Sequence, residues 1–114
     1  MNARPAEDVS AEDGHAMVEG GAFLLDVREA AEWDAGHARE AVWIPMGELA
    51  ARVGELPSDR RIVAICRTGS RSRSVADALV GAGFDAVNLD GGMRAWSAED
   101  YEVVASDGLP GVVV

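Results

Sequence analysis

With 114 residues, the chain is long enough for one domain with one hydrophobic core. Its net charge of −10 argues against nucleic acid or an anionic membrane as the main partner, and no apolar run approaches the ~20 residues that span a bilayer. The single cysteine rules out an internal disulfide and a thiolate zinc cluster. We therefore expect a cytoplasmic protein in a reducing compartment, with no metal site.

The first half of the chain alternates predicted helices and strands after a polar start. Residues 1–8 are expected to be loosely ordered, and Ser10 with Asp13 resembles a capping box that opens a helix. Residues 22–27 form an apolar run that is typical of a strand covered on both faces. In chain order we predict a helix over 11–19, a strand over 22–27, a helical turn over 29–33, a strand over 41–44 and a helix over 46–53.

The second half contains the clearest strand, residues 61–65, which is rich in β-branched side chains and runs directly into Cys66. A helix is predicted next from apolar residues three and four positions apart: Val75, Ala76, Leu79 and Val80. Residues 84–89 predict a further strand. Residues 90–92 predict a tight turn before a short helix that carries Trp96.

Strands that alternate with helices imply an α/β fold with a parallel sheet and helices on both faces. In such sheets ligands bind beyond the carboxyl ends of the strands. Asp26, Cys66 and Asp90 each lie at or just past such an end, so the edge that they share is the expected site of chemistry. We assign the domain to residues 9–104 and a C-terminal tail to residues 105–114.

The segment from Cys66 to Arg71, called the cysteine loop below, joins a buried strand to a helix. This arrangement directs backbone N–H groups and the positive end of the helix at one small volume, so a thiol there should ionise more easily than a free thiol. Gly69 permits backbone conformations closed to other residues, and Arg67 and Arg71 would add favourable charge. The alternative is a buried structural cysteine beside arginines that cluster by chance.

The cysteine loop resembles the six-residue active-site loop of the rhodanese family. Further segments resemble that family's signature segments and occur in its order: Leu25–Glu29 with Glu32, Trp33 and Gly36–His37, then Ala41–Pro45, and finally Leu89–Trp96. The resemblance covers about residues 9–96, which makes it more specific than any one motif. Ala38 and Glu40 depart from the family pattern, as does the tail after Trp96.

The resemblance implies a three-layer rhodanese-like domain, with a five-stranded parallel sheet flanked by helices on both faces. It implies a sulfurtransferase in which the Cys66 thiolate attacks a sulfane sulfur, as in thiosulfate. The resulting persulfide passes its outer sulfur to cyanide, a small thiol or a protein thiol. No cofactor is implied.

The resemblance also implies that the rest of the cysteine loop binds the substrate and stabilises the persulfide through backbone N–H groups. These residues are Arg67, Thr68, Gly69, Ser70 and Arg71. Asp26 and Arg28 either orient the loop or contact substrate, or else form an internal ion pair that holds neighbouring loops. We favour the ion pair. His37 and the tryptophans are expected to serve packing rather than catalysis.

Two other functions remain open. A cysteine phosphatase or arsenate reductase uses related loop chemistry but places arginine six positions after cysteine, where this chain has Ser72. A shorter loop suits a single sulfur atom better than a tetrahedral oxyanion. The other possibility is a non-enzymatic binding or sulfur-docking module with the same fold, although such a module would not need Cys66.

Overall fold

A computed structural model of the protein describes residues 5–114 and contains one five-stranded sheet in the order β1-β5-β4-β2-β3, with every pairing parallel. The strands are β1 (Glu7–Val9), β2 (Phe23–Asp26), β3 (Val42–Trp43), β4 (Ile62–Ile65) and β5 (Ala86–Leu89). The helices are α1 (Ala11–Glu19), α2 (Ala30–Ala35), α3 (Leu49–Arg52, between 3₁₀ turns Met46–Glu48 and Val53–Glu55), α4 (Ser70–Gly81) and α5 (Gly92–Ala98). The predicted α/β fold class is confirmed.

The interior strands β2 and β4 are buried along their whole length because both faces of the sheet are covered. Alternate residues of β4 enter two cores, since successive side chains of a strand point to opposite faces. Ile62 and Ala64 pack with residues of α3 and α4, whereas Val63 and Ile65 pack with residues of α1 and α5. This double burial explains why the strand appears in the sequence as an unbroken apolar run.

Helix α1 spans the residues that the sequence predicts. The Ser10 side chain caps it by accepting a hydrogen bond from the backbone N–H of Asp13 at 3.0 Å. Helix α4 has 12 residues and buries one stripe of its surface on the sheet. It is the longest helix, and none within residues 5–114 is long and apolar enough to cross a bilayer.

Strand β1 departs from the prediction that residues 1–8 are loosely ordered. It pairs with β5, so that Asp8 lies opposite Asn88 in the register. Only Val9 of its three residues is buried, and the sequence therefore carries no apolar pattern that would mark a strand. The prediction is wrong for residues 7 and 8, whereas residues 1–4 lie outside the part of the chain that the structure describes.

The turn before α5 brings that helix against the cysteine loop. The backbone N–H groups of Met93 and Arg94 donate to the carbonyls of Cys66 and Arg67, at 2.8 and 3.1 Å. Gly92 permits this approach because its φ is 56° and because a Cβ there would overlap the Cys66 carbonyl oxygen and lie 2.6 Å from the carbonyl carbon of Arg67. The two glycines at 91 and 92 thus form the tight turn that the sequence predicts.

The C-terminal tail and the residue before it, Val104, pack along residues 34–37 and return to the cysteine loop. His37 and Val104 exchange two backbone hydrogen bonds of 2.9 Å, and the N–H of Val112 donates to the carbonyl of Ala35 at 2.9 Å. At the end of the tail, Arg67 Nε donates to the carbonyl of Val114 at 2.9 Å. The tail therefore borders the edge of the sheet where Cys66 lies.

We expect Gly92→Ala to lower the free energy of unfolding by about 2–4 kcal/mol, because the new methyl group forces α5 away from the cysteine loop. Gly83→Ala is the matched control. Gly83 also has a positive φ of 94°, but a Cβ there would have nothing within 4 Å, so only backbone strain of about 1 kcal/mol is expected. Urea unfolding measures both values, and equal losses would show that the close approach costs nothing.

Candidate active site

Cys66 follows β4 directly, and its side chain is buried beneath the loop that leads into α4. The backbone N–H of Gly69 donates to Cys66 Sγ at 3.1 Å, and Ser72 Oγ lies 3.3 Å from the same sulfur. Gly69 has a φ of 103°, which confirms that the loop uses a conformation favoured by glycine. The sulfur therefore lies in a small ring of donors.

These donors determine how easily Cys66 ionises. Burial raises the pKa of its thiol, but hydrogen bonds outweigh burial and hold the pKa below its usual value. In order of size, they come from the Ser72 hydroxyl and from the backbone N–H groups of Ser72, Gly69 and Thr68. A lowered thiol pKa gives more of the nucleophilic thiolate near neutral pH.

The arginines in and just after the cysteine loop bind other partners. Both terminal nitrogens of Arg71 donate to the carboxylate of Glu32 on α2, at 2.7 and 2.8 Å. Arg67 binds the tail, and Arg73 forms an ion pair with Asp8 on β1. The expected charge of Arg71 is thus balanced by a carboxylate, and the largest causes of the lowered pKa of Cys66 are hydrogen bonds.

Glu32 is itself held strongly in its charged form. The hydrogen bond from Arg71 lowers the pKa of its carboxyl from 4.5 to about 2, against the opposing effect of burial and with help from the backbone N–H of Glu29. Glu32 also completes a capping box at the start of α2. One side chain therefore caps α2 and links it to the first turn of α4.

Asp26 and Arg28 form a fully buried ion pair, and this geometry is the one that we favoured from the sequence. Arg28 donates to both carboxylate oxygens, at 2.7 to 3.1 Å, and to the carbonyls of Glu32 and Gly36. Trp43 Nε1 donates to the Arg28 carbonyl at 2.8 Å. The pair thus holds α2 and the segment after it, and it presents no exposed atom to a substrate.

The other predicted residues lie around this centre. The side chains of Thr68 and Ser70 are exposed at the surface of the loop. Asp90 is exposed, and its N–H donates to the carbonyl of Val9 at 2.8 Å. His37 stacks on Trp33 at 3.6 Å, and its Nδ1 lies 2.7 Å from the Trp33 carbonyl, so it belongs to its own loop.

Ser72 and Asn88 are buried polar residues at the site that the sequence analysis did not select. Ser72 Oγ lies 2.6 Å from Asn88 Oδ1 as well as beside the sulfur. A signal existed for Ser72, which falls on the same face of α4 as Val75 and Leu79. A polar residue on an apolar helix face needs a buried partner. Asn88 is a similar exception within an otherwise apolar strand.

The comparisons with known proteins agree on one family. The sequence matches the Rhodanese-like domain family over residues 10–99. It is 43% identical to the putative sulfurtransferase YtwF of Bacillus subtilis, across 68% of this chain and 75% of that protein. It is 35% identical to the thiosulfate sulfurtransferase GlpE of Pseudomonas savastanoi pv. phaseolicola, across 76% and 83% of the two chains. The crystal structure of a rhodanese-related protein from Thermoplasma volcanium matches with a TM-score of 0.80 at 31% identity, across 86% of this chain and 97% of that chain.

The ion pair of Glu32 and Arg71 should make stability depend on acid. Because folding lowers the pKa of Glu32 from 4.5 to about 2, its contribution is complete above the unfolded value and is lost as the pH falls through that window. Glu32→Gln should cost on the order of 1 kcal/mol at neutral pH, since the pair is partly screened by solvent. The difference from the unmodified protein should vanish towards pH ~2.

Urea unfolding over a series of pH values measures this dependence. The control is Glu102→Gln, which removes a similar but exposed pair with Arg39. It should change the free energy of unfolding less at every pH. If Glu32→Gln lowers the free energy of unfolding by the same amount at neutral and acidic pH, the loss comes from the helix cap and not from the charge of Glu32.

Proposed function

The chain belongs to the rhodanese family, and on that premise we propose that it is a sulfurtransferase that carries a sulfane sulfur as a persulfide on Cys66. The observation that carries the proposal is the ring of donors around Cys66 Sγ, with the N–H of Gly69 at 3.1 Å and Ser72 Oγ at 3.3 Å. These donors favour a thiolate and would stabilise a sulfur atom held at this position.

The proposed reaction has two displacements. In the first, the Cys66 thiolate attacks the outer sulfur of a donor such as thiosulfate, a sulfur–sulfur bond forms, and sulfite leaves with the electron pair of the broken bond. In the second, a nucleophile such as cyanide, a small thiol or a protein thiol attacks the outer sulfur of the persulfide. Cys66 leaves as a thiolate, so neither step consumes an oxidant or a reductant.

Two features favour this reaction over phosphate chemistry. Position 72, where a cysteine phosphatase would place its arginine, holds a buried serine. The nearby Arg71 cannot take the place of that arginine, because both of its terminal nitrogens bind Glu32. A tetrahedral oxyanion would therefore lack its bidentate partner.

The alternative of a non-enzymatic docking module shares the fold but gives no reason for a thiol whose pKa is lowered by several hydrogen bonds. A reactive cysteine is more easily oxidised than an ordinary one, so a module that catalyses no reaction gains nothing from it. The proposed donor is a small anion such as thiosulfate, and the proposed acceptor is a thiol. A cytoplasmic location, as expected for a free reactive thiol, is part of the same proposal.

We expect Cys66→Ser to fold normally and to lose sulfur transfer from thiosulfate to cyanide, because no second thiol can replace it. The intact protein should gain about 32 Da, the mass of one sulfur atom, on incubation with thiosulfate, and the variant should not. Thiocyanate formation and mass spectrometry measure the two effects. Turnover in the variant above a few per cent of the original would show that another group carries the sulfur.

The phosphatase alternative is tested on the same preparation. We expect no hydrolysis of an aryl phosphate by the unmodified protein, because position 72 holds no arginine for the phosphoryl oxygens. Insertion of one glycine after Gly69 should enlarge the ring of donors and weaken sulfur transfer. Aryl phosphate hydrolysis that disappears in Cys66→Ser would assign the chain to phosphate chemistry and leave the rhodanese assignment as one of fold alone.

A further inference from the structure

A chain of polar side chains leads from the sulfur of Cys66 to the edge strand β1. Ser72 Oγ lies 3.3 Å from Cys66 Sγ and 2.6 Å from Asn88 Oδ1. Asn88 Nδ2 donates to Asp8 Oδ1 at 2.9 Å and to the carbonyl of Gly69 at 3.2 Å. Ser72 and Asn88 are 0% and 1% exposed, so water does not compete for these bonds.

The direction of each bond follows from the chemistry of its partners. A carboxylate and a backbone carbonyl only accept, so the amide nitrogen of Asn88 must face Asp8 and Gly69, and its oxygen must face Ser72. An amide oxygen carries no proton, and the hydroxyl of Ser72 must therefore donate in the 2.6 Å contact. A serine hydroxyl has one proton, so it cannot donate to Cys66 Sγ at the same time.

We propose that Asn88 is a positioning residue of this site, because it competes with the sulfur of Cys66 for the single proton of the Ser72 hydroxyl. The proposal rests on the proposed function, to which it adds a means of controlling how tightly the thiolate is held. Asn88 acts through Ser72 and touches neither the sulfur nor a substrate.

The competition distinguishes the states of the reaction. In the thiol state the S–H group donates to Ser72 Oγ, and Ser72 donates to Asn88, so every polar atom has a partner. In the thiolate state the hydroxyl turns to the sulfur, and Asn88 Oδ1 loses its donor in a buried place, which is costly. In the persulfide the charge lies on the outer sulfur, and the hydroxyl can return to Asn88. Asn88 thus disfavours the thiolate and keeps it nucleophilic, since nucleophilicity falls as a thiol becomes more acidic.

Several charged groups surround the loop. They are Arg67 within the loop, Arg71 with Glu32 of α2, Arg73 with Asp8 of β1, and Arg94 of α5. Substitution of Asn88 by a neutral residue leaves their charges unchanged. A shift in the ionisation of Cys66 then reports the hydrogen bonds of Ser72.

The test uses the pH dependence of iodoacetamide alkylation, which reports Cys66 alone because the chain has one cysteine. Asn88→Leu removes the competing acceptor, so the alkylation midpoint should move to lower pH, and the rate below the midpoint should rise about threefold. Asn88→Asp keeps an acceptor of the same shape and adds a negative charge, and since both disfavour the thiolate, its midpoint should move to higher pH. Asn88→Leu should have no effect in a Ser72→Ala background.

A merely structural role for Asn88 gives a different result. If Asn88 only held the loop through Gly69, both substitutions would weaken the bond from the Gly69 N–H to the sulfur and raise the midpoint. Shifts in the same direction, or a shift by Asn88→Leu that persists without the Ser72 hydroxyl, would overturn the proposal. At pH values above all midpoints, Asn88→Leu should form persulfide from thiosulfate more slowly than the unmodified protein, because its thiolate is the weaker nucleophile.

The unmodified protein offers a measurement that needs no folded Asn88 variant. Its single S–H stretching band in the infrared should lie at the low frequency of a donated bond and should move to the free-thiol frequency in Ser72→Ala. A free-thiol band in the unmodified protein would overturn the proposal. Neither alkylation nor the infrared band requires sulfur transfer. The expected shifts without persulfide formation would therefore support the proton competition and reject the proposed function. Persulfide formation without the expected shifts would support the proposed function and reject the proton competition.

Discussion

The contact between α5 and the cysteine loop orients one of the backbone donors that surround the sulfur. In a trans peptide the C=O and N–H groups point in opposite directions. The Arg67 carbonyl binds the N–H of Arg94 at 3.1 Å, and the N–H in the same peptide unit, that of Thr68, faces the sulfur of Cys66. A helix on one side of the loop therefore aims a donor at the thiol on the other side, without a side chain in between.

A set of ion pairs on the other side of the cysteine loop keeps this arrangement in place. The buried pair of Asp26 and Arg28 fixes the carbonyls of Glu32 and Gly36, and through them the position of α2. From α2, the Glu32 carboxylate binds Arg71 in the first turn of α4. A buried ion pair is weak evidence for stability, since desolvation offsets much of its Coulomb energy. Its role here is to position α2, which in turn holds α4 in a fixed orientation beside Cys66.

The sequence predicted the elements that are buried on both sides and the residues whose chemistry is local. β2 and β4 were recognised because double burial demands unbroken apolar runs, and Cys66 and Gly69 because a strand-to-helix loop has few solutions. The sequence could not show which residues that are far apart in the chain bind one another. Nothing near Arg71 indicated that Glu32, 39 positions away, would bind its guanidinium. Strand β1 escaped notice for a related reason, since an exposed three-residue edge strand is defined by its partner and not by its own pattern.

That edge strand ties the environment of the thiol to pairing between segments that are far apart in the sequence. Asp8 and Asn88 are 80 positions apart, and parallel strands of such separation can pair only after the intervening segment has folded. During synthesis the N-terminal residues leave the ribosome long before β5 exists, and α5, which aims the Thr68 donor, follows later still. A nascent chain therefore exposes Cys66 as an ordinary thiol. The thiol of lowered pKa arises only when β5 and α5 have joined the sheet, so folding of the domain and activation of the cysteine are one event.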